Sequence, residues 1–245
     1  MSDVYDCPLQ RELNRVVAYC DENEMRINTD KTKVMMFSNS RKYDYTPHLS
    51  VDDSNELQVV ETYKLLGIVV QSDLRWYSNT QYMCERGYQR LWMLRRLRII
   101  GANVVELLDV YEKQVRSILE LAVPVWEPGL TEVEKKQIER VQKAAFNIIL
   151  GDEYTSYANA LNTLNSESLS LRRQKLSLNF GKKALNHPKY YSWFRVNDAI
   201  PLNTRADKDR DVLKAVQTRT NLYRDSPLPY LTNILNEYLE PKKRK

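Results

Sequence analysis

Val104-Val-Glu-Leu-Leu-Asp-Val-Tyr-Glu-Lys-Gln-Val-Arg-Ser-Ile-Leu-Glu-Leu-Ala122 sets the class of the fold. Val104, Leu107, Leu108, Tyr111, Val115, Ile118, Leu119 and Ala122 recur at helical spacing, and Pro124 reads as the stop. On its C-terminal side, Thr131-x-x-Glu134 is a capping box. The helix it opens buries Ile138, Val141, Ala145, Ile148 and Ile149 and ends at Gly151. On its N-terminal side, Ser78-Asn-Thr starts a helix that runs to about Leu97, with Gly101 beyond it. These helices, 78–151, carry enough apolar surface to fold as a unit on their own.

Further from that centre the patterns change. Shorter helices are expected at 157–164 and 167–186, the latter ending before Pro188, with Leu169, Leu176, Phe180 and Ala184 as its buried stripe. From 196 to 245 the stripes thin and prolines recur, predicting a loosely packed region with helices near 208–222 and 229–239. Towards the N-terminus, Leu9, Leu13, Val16, Val17 and Cys20 mark one face of a helix over 9–23, with Pro8 at its first turn. Three short strands are expected at 33–37, 57–60 and 65–70, with a polar connection from Ser38 to Asn55. The fold class is therefore α+β and predominantly α: an N-terminal helix, about three strands, then a helical bundle.

Composition narrows the function. The chain has 245 residues, 42% apolar and 28% charged, with only six glycines. The run Leu65 to Val70 falls far short of the roughly 20 residues of a membrane span, so no membrane role is expected. Cys7, Cys20 and Cys84 lie too far apart for a short-spaced metal pair, and only His48 and His187 could assist them. Residues 1–62 hold seven Lys/Arg against twelve Asp/Glu, whereas 63–245 hold thirty against twenty. Residues 168–197 contain no acid at all, and 75–98 carry six arginines against Glu85. Such blocks suit a phosphate-backbone binder, or equally a set of solvated helix faces. No Gly-rich phosphate loop, nucleophile elbow or His-Glu-x-x-His helix is present.

The string from Leu13 through Asn28-Thr-Asp-Lys31-Thr-Lys to Phe37 resembles the segment just downstream of the catalytic Asp-Asp in reverse transcriptases of non-LTR retrotransposons, the jockey-like and CR1-like elements. The resemblance continues, colinear over nearly the whole chain, through Tyr63-Lys-Leu-Leu-Gly67-Ile, Trp76, Leu91-Trp-x-Leu-Arg-Arg-Leu-Arg98 and Val115-Arg-Ser-x-Leu-Glu-x-Ala-x-Pro-Val-Trp126. Ile138-Glu-Arg-Val-Gln-Lys143, Ile149-Leu-Gly151, Ser168-Leu-x-Leu-Arg-Arg173 and Arg224-x-Ser-Pro-Leu-Pro-Tyr230 extend it. It implies a partial palm over 1–72, a thumb-like helical domain over 73–151, a C-terminal helical region over 152–240 and a basic tail at 241–245.

The family activity is RNA-directed DNA polymerisation, which uses Mg²⁺ held by clustered carboxylates. In the family those aspartates precede the helix at 9–23, so a fragment inactive by itself is expected. Asp52-Asp53 lies in a polar connection and reads as an exposed turn rather than as a metal pair. No metal or cofactor is therefore assigned to the chain. Asn28 and Lys31 resemble the family's nucleotide-proximal loop, where a lysine stands near the leaving pyrophosphate; the same residues also suit a plain turn joining helix to strand. Tyr63, Leu66 and Gly67 resemble the hairpin that holds the primer end.

The thumb and C-terminal helices imply RNA or DNA template–primer as partner, gripped without base reading, with a chain bearing palm and fingers as a further partner. Arg86, Arg90, Arg95, Arg96 and Arg98 on one helix, and Arg172, Arg173, Lys175, Lys182 and Lys183 on another, are the expected phosphate contacts. Phe180, Tyr190, Tyr191, Trp193 and Phe194 add the aromatics of a single-strand platform. Pro241-Lys-Lys-Arg-Lys245 has the composition of a nuclear import signal, giving a nuclear or cytoplasmic location. A helical module whose basic faces dock an acidic protein is the alternative. The Leu65–Arg98 stretch also resembles the N-terminal segment of an AlkB-type dioxygenase homologue, but the histidines of such an iron site are lacking.

Overall fold

The computed structural model describes residues 7–37, 48–52, 55–195 and 212–239. Asp53, most of the Ser38–Asn55 connection and the tail Pro241–Lys245 lie outside them. The chain forms two compact units, Met1–Ser78 and Asn79–Lys245. It is α+β and mostly helical, with a few short antiparallel strands.

In the first unit, Pro8 opens α1 (Pro8–Glu22) in the first turn, where its missing N–H costs nothing. Gln10 is buried, and its side-chain amide bonds both backbone groups of Ser50, with Nε2 donating at 2.8 Å and Oε1 accepting at 3.0 Å. The helix thereby docks on β1 (Ser50–Asp52), which pairs antiparallel with β2 (Asn55–Glu56). A small core of Val34, Leu49 and Leu57 gathers Cys7, Leu13 and Val51. The expected apolar face of α1 is only partly covered, since Leu9 and Val16 each remain 52% exposed.

Two of the expected strands are corrected. Residues 33–37 make one parallel bridge, Val34 to Val59, and the 57–60 segment adds to it only one backbone bond among the described residues, from the Leu57 N–H to the Leu49 carbonyl. The third, 65–70, is a hairpin: β3 (Thr62–Leu65) and β4 (Ile68–Gln71) pair antiparallel, with Leu65 opposite Ile68. Leu66 and Gly67 both have positive φ (50° and 90°), as a two-residue type I′ turn requires. An unbroken apolar run therefore folds back on itself, because glycine there makes the left-handed turn accessible.

The second unit starts with α2 (Tyr77–Ile99). Asn103 and Glu106 form a capping box for α3 (Val104–Val110), which continues as a π-helical stretch (Tyr111–Arg116) and a last turn, α4 (Ser117–Leu119). Leu107, Tyr111, Val115 and Leu119 are all buried, four residues apart. Four residues overshoot one α-helical turn by about 40°, and the wider π turn removes that drift so that all four stay inward. The expected stop at Pro124 is also corrected. The helix ends after Leu119, Ala122 turns left-handed (φ 51°), and Pro124 sits in the first turn of a new helix, α5 (Val123–Trp126).

The Thr131–Glu134 capping box opens α6 (Glu132–Leu150), closed by Gly151. Then follow α7 (Tyr157–Thr163), α8 (Leu169–Leu185), a 3₁₀ turn (Tyr191–Trp193), α9 (Asn221–Arg224) and α10 (Pro227–Leu239). Of the helix expected over 208–222, residues 212–220 are not helical, and only Asn221 and Leu222 fall in a helix, the start of α9. Nor is the C-terminal part loose: Leu213, Leu231 and Leu235 close a core with Ala184 and Phe194. Gly181 lets α10 approach α8, because a Cβ there would stand 3.3 Å from Leu235. The helical remainder, expected as 73–151 and 152–240, is thus one unit. No described helix is long and apolar enough to cross a membrane.

Cys84 on α2 is buried, which pushes its thiol up to about 11. Cys7 and Cys20 are partly exposed. Because the thiolate is the reactive form, a thiol reagent at pH 8 should modify Cys7 and Cys20 in the native chain and reach Cys84 only on unfolding. Counting released chromophore before and after denaturant checks this, and three fast thiols in the native state would contradict it.

Candidate nucleic-acid interface

Met83, Cys84, Gly87, Leu91 and Leu94 are the buried side of α2. Gly87 marks its crossing over α6, where a Cβ would lie 2.9 Å from Val141 Cγ1. The opposite side carries Tyr88, Trp92, Arg95, Arg96 and Ile99 at i, i+4, i+7, i+8 and i+11, all exposed, with Trp92 at 59%. Neither Arg95 nor Arg96 makes a side-chain hydrogen bond or ion pair with a described residue. Arg86, also exposed, lies 5.8 Å over the Tyr82 ring. Two guanidinium groups beside two accessible rings can take phosphates and bases together.

The other arginines of this helix are tied inward. Arg90 Nη1 donates to Gln114 Oε1 at 2.6 Å. Arg98 Nη1 donates to the Ile148 carbonyl at 2.5 Å, satisfying the end of α6, and it occupies the space that a side chain at Gly151 would need.

The second expected cluster is spent largely on folding. Arg172 holds Glu120 in a two-point pair. Arg173 has no exposed surface, and its Nε donates to Glu127 Oε2 at 2.5 Å. A guanidinium sealed in this way meets no phosphate, so Arg173 leaves the expected contact set. Its Nη1 and Nη2 have no acceptor among the described residues, and burial pushes the Glu127 carboxyl up against the pull of Arg173. Lys175 pairs with Glu167, and the Lys182 ammonium stands 3.3 Å over the Tyr238 ring. Lys183 is exposed and has no partner among the described residues. The buried face of α8 is Leu169, Arg173, Ser177, Gly181 and Ala184, not the stripe through Phe180, which is 40% exposed.

No family model, curated protein or solved structure matches the chain.

In the first unit the two expected polymerase-like elements meet. Asn28 Oδ1 accepts from the Lys31 N–H at 2.9 Å, and the Asn28 carbonyl accepts from Thr32 N at 2.9 Å, closing a turn. The Tyr63 hydroxyl donates to the Lys31 carbonyl at 2.7 Å, bracing that turn with the hairpin. The Lys31 side chain is exposed and has no partner among the described residues, and Leu66 is the hairpin's exposed tip. Asp52 accepts from the Asn55 amide. No group of three His, Cys, Asp or Glu among the described residues is placed to hold a metal.

Trp92 and Tyr88 were readable beside the arginines, since their spacing places them on one face. Lys214 and Tyr223, which line a pocket with Trp193 and Arg195, had no local signal. They are brought there by tertiary folding across some twenty or more residues of chain.

Proposed function

We propose that this chain acts as the thumb-side and C-terminal portion of a non-LTR reverse-transcriptase-like protein, binding RNA or DNA template–primer without reading its sequence. The observation that carries the reading is the solvent face of α2, where Arg95 and Arg96 stand between Trp92 and Ile99 with no partner among the described residues, while Arg90, Arg98, Arg172, Arg173 and Lys175 are held by the protein itself. Nothing on that face is arranged to read base edges, so affinity should follow phosphate neutralisation.

Binding to poly(U) and to a primer–template duplex, measured against salt, tests this. Each phosphate contact contributes about 0.7–0.9 log units of affinity per log unit of salt, so the variant Arg95→Gln/Arg96→Gln should lower the slope by about 1.5. A slope unchanged by the double substitution overturns the assignment of this face. The docking alternative draws on Ile99, Ile100 and Val105, each at least 75% exposed at the α2–α3 corner beside these arginines. It becomes the better reading if the wild-type chain ignores both polymers at low salt.

A further inference from the structure

His187, Tyr190 and Trp193 form a ladder of rings with centroid spacings of 4.7 and 4.8 Å. Its last ring, Trp193, is 46% exposed and opens onto a cavity of about 560 Å³. Arg195, Lys214, Gln217, Tyr223 and Ser192 also line that cavity, and no acidic residue is among the described residues of its wall. The walls are fixed from below. Phe194 is buried between Trp193 and Arg195, and both backbone groups of Leu213 bond the Asn236 side chain, at 2.9 and 3.0 Å. The Lys214 N–H donates to the Arg195 carbonyl at 2.7 Å, joining the two walls. The Arg195 side chain is exposed and makes no hydrogen bond or ion pair with a described residue.

We infer that this pocket takes one nucleotide of a single strand, its base stacking on the Trp193 ring, which packs tilted at 47° against Tyr190, and its phosphate meeting Arg195. The proposal rests on the nucleic-acid reading above and adds a stacking subsite distant in sequence from α2. Three features of the pocket select this ligand class. Its volume falls within the roughly 300–1,000 Å³ of small-molecule sites. The exposed Trp193 ring offers a face to another flat ring, and every base has one. The exposed Arg195 guanidinium favours an anion. Gln217 and Ser192 can bond base edges, and the Gln217 amide can pair with adenine, so at most a mild base preference is expected.

The test uses the full chain with a fluorescein-labelled (dT)₁₀ strand, read by anisotropy at several salt concentrations, with Arg95→Gln/Arg96→Gln in parallel. Trp193→Ala should weaken binding about tenfold or more with little change in salt slope, because stacking releases no counterions. Arg195→Gln, at an exposed side chain with no hydrogen bond or ion pair to a described residue, should lower the slope by about 0.7 and supplies the answer if Trp193→Ala does not fold. Trp193→Phe should retain most of the affinity.

Wild-type affinity and slope in both Trp193→Ala and Arg195→Gln, alongside a weakened Arg95→Gln/Arg96→Gln, overturn the pocket and leave the α2 reading standing. Absence of wild-type binding at low salt overturns both. Displacement of the strand by dTMP at equal molar potency would make this a free-nucleotide site, and displacement by poly-glutamate an acidic-peptide site. Either outcome overturns the proposal.

Discussion

Glu127→Ala should destabilise the helical unit by about 3–5 kcal/mol, the usual cost of leaving one partner of a buried ion pair alone. Arg173 is wholly enclosed, and its only side-chain hydrogen bond to a described residue goes to Glu127. Without that carboxylate a charged guanidinium remains in the core with no acceptor among the described residues. The same geometry predicts an opposite result for the double variant Glu127→Leu/Arg173→Met. Burial already pushes the Glu127 carboxyl up, so the pair does not fully offset its own desolvation. Apolar replacements of similar size should recover most of the loss or exceed it. Urea unfolding followed through the fluorescence of the buried Trp126 measures both. A single-variant loss below about 1 kcal/mol would mean that water or main chain satisfies Arg173 adequately.

The second large effect concerns where the helical unit can be cut. A fragment of residues 79–245 should unfold in one cooperative transition, whereas 79–151 should show none. The shorter piece contains the stripes that suggest autonomy, but three of its links reach beyond Gly151. Glu120 and Glu127 would lose Arg172 and Arg173, and Gln142 would lose the Glu167 carbonyl to which its Nε2 donates at 2.8 Å. Gln142 also accepts from the Tyr111 hydroxyl at 2.9 Å, so the damage reaches the edge-on contact between Tyr111 and Phe146. A buried Glu127 without its partner and a half-buried Glu120 left with only Arg116, on a small core stripped of α8 and α10, exceed the marginal stability of a domain of that size. Far-UV circular dichroism against urea distinguishes the outcomes, and a sigmoidal transition for 79–151 would show that α8 is dispensable.

Local chemistry was legible where it acts within a few residues. The Thr131–Glu134 box, the stop at Gly151 and the helix over 229–239 are read from neighbours in the chain, and the structure has them. The turn at Asn28–Thr32 was legible for the same reason, since an asparagine side chain biases the backbone beside it, whereas 65–70 read locally as one strand and the structure folds it into a hairpin. The charge asymmetry between the two parts of the chain is a property of composition alone.

Only the tertiary structure decided which charges are available. Arg172 and Arg173 look alike in sequence, yet one lies at the rim and the other in the core, because carboxylates at 120 and 127 arrive from another helix. Hydropathy ranks an arginine as outward-facing, so it placed the buried face of α8 on Phe180 instead of on Arg173, Ser177 and Gly181. The Trp193 pocket shows the same limit, its walls joined by a backbone bond between Arg195 and Lys214. The physical reason is range. Capping, turn formation and helical periodicity are energies between residues at most a few positions apart, whereas desolvation and ion pairing depend on whatever the folded chain brings alongside.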